Sequence, residues 1–99
     1  MCDIFSFMQM RASHILVKDK TLADKIYAEL KAGGSFPLYA RKYSTCPSKE
    51  KGGDLGWFGP GQMVKEFEEA TRKLGYGALS RPVRTQFGWH IIKKTGVKE

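Results

Sequence analysis

Two strand-like stretches near the C-terminus, Leu79 to Thr85 and Trp89 to Lys94, are separated only by Gln86-Phe87-Gly88. This spacing constrains the fold more than any other feature of the chain. Parallel strands need a crossover of about a dozen residues or more, whereas a tight turn joins antiparallel ones. The pair is therefore expected as a hairpin. Upstream, Met10 to Val17 reads as a strand through the β-prone Ile15-Leu16-Val17, and Asp54 to Phe58 as a short strand between glycines. Thr21, followed three residues later by Asp24, is expected to cap a helix whose Leu22, Ile26 and Leu30 form one apolar stripe and which Gly33-Gly34 stops. Ser35-Phe36-Pro37 opens a second helix with Phe36, Tyr39, Ala40 and Tyr43 on its apolar face. Val64 to Leu74 is a third, with Phe67, Ala70 and Leu74 sharing a face, early glutamates and a late Arg72-Lys73. The turn-rich stretch from Cys46 to Gly53 has room for one helical turn. The order β-α-α-(α)-β-α-β-β predicts an α+β domain with a mainly antiparallel sheet.

At 99 residues, 41% of them hydrophobic, the chain is expected to build one core and one domain, spanning residues 9–99 behind an N-terminal extension over residues 1–8. That extension lacks the basic start and cleavage site of a signal peptide, and no run approaches the ~20 apolar residues of a membrane span. A soluble, cytoplasmic monomer is the expectation. Cys2 and Cys46, the only cysteines, give little reason to expect a disulfide. The net charge of +7 admits nucleic acid or an anionic membrane as partner, but the basic residues are scattered apart from small groups at Lys49/Lys51 and Lys93/Lys94/Lys98. A solvated basic surface is the reading preferred. Alternation along a strand puts His14 on the face of Ala12 and Leu16, and His90 on the face of Ile92. If those faces are buried, the two histidines lie in or beside a pocket.

Four stretches in register resemble the parvulin family of peptidyl-prolyl cis/trans isomerases. They are Ala12-Ser13-His14-Ile15-Leu16-Val17-Lys18; Ser44-Thr45-Cys46-Pro47-Ser48 running into Gly53-Asp54-Leu55-Gly56; Gly61-Gln62-Met63-Val64 with Phe67-Glu68; and Thr85-Gln86-Phe87-Gly88-Trp89-His90-Ile91-Ile92. The resemblance covers roughly residues 9 to 95. It implies a four-stranded, mostly antiparallel sheet with about four helices, and isomerisation of X-Pro bonds without cofactor or metal. It implies proline-containing peptides and unfolded or partly folded proteins as partners. Carried over residue by residue, His14 and His90 match the paired histidines at the sheet centre, and Cys46 a position held by cysteine or aspartate. Ser44, Thr45 and Thr85 match the polar network around the histidines. Leu55, Met63 and Phe67 match the proline pocket, Phe87 its rim, and Gln62 its mouth. Met63 and Phe67 are expected as partly open walls. Phosphate-directed parvulins carry a long basic loop after the first strand; here only Lys18-Asp19-Lys20-Thr21 fills that space, which resembles the phosphate-independent branch.

The same residues admit other functions. A Cys/His hydrolase would use Cys46 with His14 or His90, but nothing marks an oxyanion hole or a third orienting group. A zinc site from Cys2, Cys46, His14 and His90 lacks the usual close ligand spacings. A non-enzymatic chaperone, or a basic module for nucleic acid or anionic membrane, is the alternative from another class.

Overall fold

The computed structural model describes residues 9–98. The expected extension over residues 1–8, Cys2 included, lies outside them. The elements are β1 (Gln9–Val17), α1 (Lys20–Lys31), α2 (Phe36–Tyr43), a 3-10 turn (Pro47–Lys51), β2 (Asp54–Phe58), α3 (Lys65–Lys73), β3 (Val83–Thr85) and β4 (Gly88–Lys98). The sheet order is β2-β1-β4-β3, and every neighbouring pair is antiparallel. The fold is thus the expected α+β arrangement, with three α-helices and the 3-10 turn.

The strand period of two splits β1 and β4 between two cores. Ile15, Val17 and Ile91 face α1 and α2, where they meet Ile26, Leu30, Phe36 and Ala40. Met10, Ala12 and Ile92 face the other way, toward Phe58 and Phe67 of α3. His14 and His90 fall on this second face, in contact with Phe67.

Several local expectations are corrected. Asp19, not Thr21, caps α1: its carboxylate accepts from Thr21 N at 3.2 Å, so Thr21 already sits in the first turn. Strand β3 begins at Val83 rather than Leu79, because Pro82 has no N–H to give the ladder. Leu79 keeps only an isolated bridge to Lys93. Strand β4 runs past Lys94 to Lys98, since Gln9–Val17 offers a partner along that whole length. Thr71 is fully buried on α3, its hydroxyl donating to Phe67 O at 2.9 Å. Lys94 does not belong to a surface basic group. It is buried, and its ammonium donates to Leu74 O, the C-cap of α3, at 2.9 Å.

Gly53 brings the chain from the 3-10 turn onto β1. Its φ is +89°, its carbonyl accepts from His14 N at 2.9 Å, and a Cβ there would lie 2.4 Å from His14 O. Gly61 shares the left-handed backbone (φ +83°) but a Cβ would meet nothing within 4 Å. Gly61→Ala is expected to lose about 1 kcal/mol of stability from strain alone. Gly53→Ala is expected to lose clearly more, because clash adds to strain; thermal melting of the two variants side by side measures the difference.

Candidate active site

The β1–β4 register pairs His14 with Ile92 and Leu16 with His90, so the two histidines are diagonal neighbours on one face. Their rings stack with centroids 5.0 Å apart, and the two Nδ1 atoms lie 2.9 Å from each other. Only one of them can carry the proton between them. On the far side of His90, Nε2 is 2.7 Å from Thr85 Oγ1, which also accepts from Phe87 N at 3.1 Å. Two proton arrangements meet these contacts. In one, Thr85 O–H donates to His90 Nε2, His90 Nδ1–H donates to His14 Nδ1, and His14 is protonated on Nε2. In the other the chain runs in reverse, with His14 Nδ1–H donating to His90 Nδ1, His90 Nε2–H donating to Thr85 Oγ1, and no proton on His14 Nε2. That last nitrogen is buried and has no partner among the described residues.

Both rings are nearly out of water, at 5% and 3% exposure. Desolvation, with the charge on His90 as a second cause, brings His14 down to about 4; desolvation alone brings His90 to about 4. Near neutral pH both are uncharged, which is what the shared Nδ1–Nδ1 bond requires. Phe67 meets both rings edge-on, at 5.6 and 5.4 Å between centroids.

Above the pair opens a cavity of about 470 Å³. Leu16, Leu55, Met63, Val64, Phe67 and Phe87 give it apolar walls, and His14, His90, Thr45, Cys46, Pro47 and Gln62 complete it. Nine expected residues are therefore brought to one place. Phe87 stands at the rim, 54% exposed, on the tight turn between β3 and β4. Gln62 is exposed, and its side-chain oxygen accepts from Gly59 N at 2.7 Å within its own turn. Phe67 departs from the partly open wall expected: it is 2% exposed and packs on Phe58, so it is core and wall together. Leu16, Pro47 and Val64 were not singled out from sequence. Leu16 was findable by its alternation with His14, and the other two by adjacency to Cys46 and Met63.

The expectation that Ser44 and Thr45 join the network around the histidines is corrected. Strand β2 pairs with β1 only as far as Ser13, leaving the β1 edge beyond it open. The loop after α2 fills that edge: Ser44 Oγ accepts from Leu16 N at 3.1 Å and from Cys46 N at 3.3 Å, and Thr45 N donates to Leu16 O at 2.8 Å. These bonds hold the Cys46 wall in place. Buried Ser44 does not line the cavity, and among the described residues Thr85 is the one hydrogen-bond partner that the histidine side chains have besides each other. Cys46 is half-buried, and its sulfur accepts from Ser48 Oγ at 3.2 Å. Among the described residues no hydrogen bond joins Cys46 to either histidine, so the arrangement offers no thiol–imidazole pair. Nor do three His, Cys, Asp or Glu side chains among them converge as a cation site.

Because both histidines are neutral when folded and titrate near 6.5 when unfolded, the unfolded chain binds more protons as pH falls. Stability is expected to be full above about pH 6.5 and to drop between about 6.5 and 4. The loss should reach a few kcal/mol, since each tenfold difference in proton affinity between the folded and unfolded chain is worth ~1.4 kcal/mol. Denaturant melts across that window should show the drop in this chain, and a smaller one in His14→Phe.

Residues 11–96 match the family model described as "Rotamase: PPIC-type PPIASE domain". The foldase protein PrsA of Geobacillus kaustophilus is 57% identical over 88 residues, 88% of this chain and 31% of that protein. The chain spans about a third of the length of the curated relatives it matches. Among solved structures, the peptidylprolyl isomerase PrsA of Bacillus anthracis superposes with a TM-score of 0.92 at 48% identity, covering 93% of this chain and 43% of that one. The parvuline NmPin of Nitrosopumilus maritimus superposes with a TM-score of 0.79 at 43% identity, covering 89% of this chain and 96% of that one. With the diagonal histidine pair, the apolar cavity and a family match over nearly the whole described chain, this protein belongs to the PPIC-type peptidyl-prolyl cis/trans isomerase, or parvulin, family.

Proposed function

We propose that the chain isomerises X-Pro bonds in polypeptide clients and so assists their folding. The observation that carries the reading is the apolar cavity seated on two neutral, mutually bonded histidines. The X-Pro bond resists rotation through amide resonance, with a barrier of ~18–20 kcal/mol. The planar amide is charge-separated, so an apolar environment favours the twisted form relative to it. A gain of ~10⁴ in rate needs only about 5.5 kcal/mol of differential stabilisation, with no covalent bond and no proton transfer.

In this reading Leu55, Met63, Phe67 and Phe87 hold the pyrrolidine ring while the acyl side turns. Cys46 meets the moving carbonyl oxygen; Ser44 does not, because it is buried behind the wall and does not line the cavity. The histidines do not act as acid or base. They form a rigid, uncharged floor that fixes the position of Phe67 and of the Thr85 end of the hairpin. All groups come from one chain, which supports a monomer as the working unit. The free Cys46 thiol suits a reducing compartment, and we propose the cytoplasm.

Beside the cavity lies a second, more polar hollow that shares Leu16, Thr45 and Phe87 with it and carries Lys18 and Arg84, and we propose that it receives the residue before proline. Only Lys18 and Asp19 separate β1 from α1, too little chain for a phosphate-gripping loop. A carboxylate before proline is expected to be accepted at least as well as an alanine. A phosphoserine should bring no more than a few-fold over glutamate. Turnover on peptides that differ only at that residue tests this, and a many-fold phosphoserine preference would overturn it.

The reading itself is tested by protease-free isomerisation of X-Pro peptides; catalysis no faster than buffer by a folded sample would sink it. Met63→Ala is expected to lower turnover with little loss of stability, because Met63 is only half-buried. Phe67→Ala should lose both, with ~3–5 kcal/mol of stability as for a core aromatic. Cys46→Asp should retain substantial turnover and Cys46→Ala should lose part of it. A covalent Cys46–substrate adduct trapped during turnover would refute the mechanism.

A further inference from the structure

On the α1/α2 face of the sheet lies a second cleft, of about 240 Å³, that shares no lining residue with the prolyl cavity. It exists because two register slips fall at one level of the sheet. The β1–β2 pairing slips between Arg11 and Ser13, and the β1–β4 pairing between Arg11 and Ala12, which leaves Thr95 without a partner residue across the ladder. Bulges of this kind re-aim side chains. Thr95 Oγ1 is buried, lines the cleft and has no hydrogen-bond partner among the described residues. An unmet buried hydroxyl costs about 1–3 kcal/mol, a penalty that a ligand would relieve.

The charges around it define that ligand. Lys51 and Lys93 line the cleft, and among the described residues neither is in an ion pair. The acidic group present, Asp54, is engaged by the Arg11 guanidinium through both carboxylate oxygens. Phe36 and Pro37 supply apolar wall. Two ammonium groups, a free hydroxyl and an apolar wall complement one carboxylate on a short aliphatic stem. A phosphate dianion would set a second negative charge near Asp54. A nucleic-acid strand would want a row of cations, where this cleft presents the neutralised Arg11–Asp54 pair. Past Phe36 and Lys93 the cleft continues into a hollow of about 390 Å³ that carries Lys31, leaving room for flanking residues. We propose that this cleft binds an aspartate or glutamate side chain of an extended polypeptide, as an exosite separate from the prolyl pocket.

The test uses the whole chain, isotopically labelled for amide NMR, and a proline-free hexapeptide with one central glutamate, so that it does not depend on isomerase activity. The glutamate peptide is expected to shift the amides of Ser13, Lys51, Lys93 and Thr95. The glutamine-substituted peptide should bind about five-fold more weakly, as should the glutamate peptide to Lys93→Gln or Thr95→Val, equivalent to about 1 kcal/mol. Turnover of a short neutral X-Pro substrate should be unchanged in both variants. Lys51→Gln, at an exposed position, serves as a third variant whose folding is not at stake. Equal shifts by the two peptides would overturn the proposal, as would shifts confined to His14, Met63 and Phe67. So would inorganic phosphate or anionic vesicles perturbing these amides where the peptide does not.

Discussion

The antiparallel ladder between β1 and β4 runs from Gln9 opposite Lys98 to Val17 opposite Trp89, and the remaining elements take their places from it. Strands β2 and β3 are added at its two edges, and each core is a side-chain set of one face. The diagonal offset of His14 and His90 is a property of this register. A slip of one residue would send one histidine to the α1/α2 face and break the Nδ1–Nδ1 bond. Register and site are therefore one constraint, and the apolar side chains that set the first also set the second.

Burial makes that constraint self-consistent. Two imidazoles in water titrate near 6.5. Enclosed by Phe67 and the sheet they stay neutral down to about 4, so one can donate to the other without repulsion. The same desolvation gives the cavity above them the low polarity that disfavours a planar, charge-separated amide. Protein stability and the proposed chemistry draw on one physical cause, which explains why polar side chains sit in the middle of a sheet that could have been wholly apolar.

The edges of the ladder show how irregularity is put to use. Where β2 leaves β1, the open edge at His14 and Leu16 is taken by Gly53, Ser44 and Thr45, and this brings Cys46 to the cavity wall. Where the two register slips coincide, Thr95 and the Arg11–Asp54 pair are turned into a cleft on the opposite face. One departure from regular pairing builds the prolyl site, and the other builds the proposed exosite.

Periodicity and turn chemistry are local, and the sequence alone therefore determined the elements, their order, the antiparallel hairpin and the α+β class. The residues clustered in the cavity were legible largely through resemblance, because His14, Cys46, Met63 and His90 are far apart in the chain and no spacing rule joins them. Only the tertiary structure decided the rest. Ser44 bonds the β1 edge rather than the histidines, because β2 is too short to cover that edge. Phe67 is core as well as wall, since Phe58 packs behind it. Lys94 is buried against a helix end although its neighbours in sequence are exposed or half-exposed, because alternation along β4 turns it toward α3. Each of these outcomes depends on which backbone groups and surfaces remain unpaired after the strands have met, and that is fixed by contacts between residues distant in the chain.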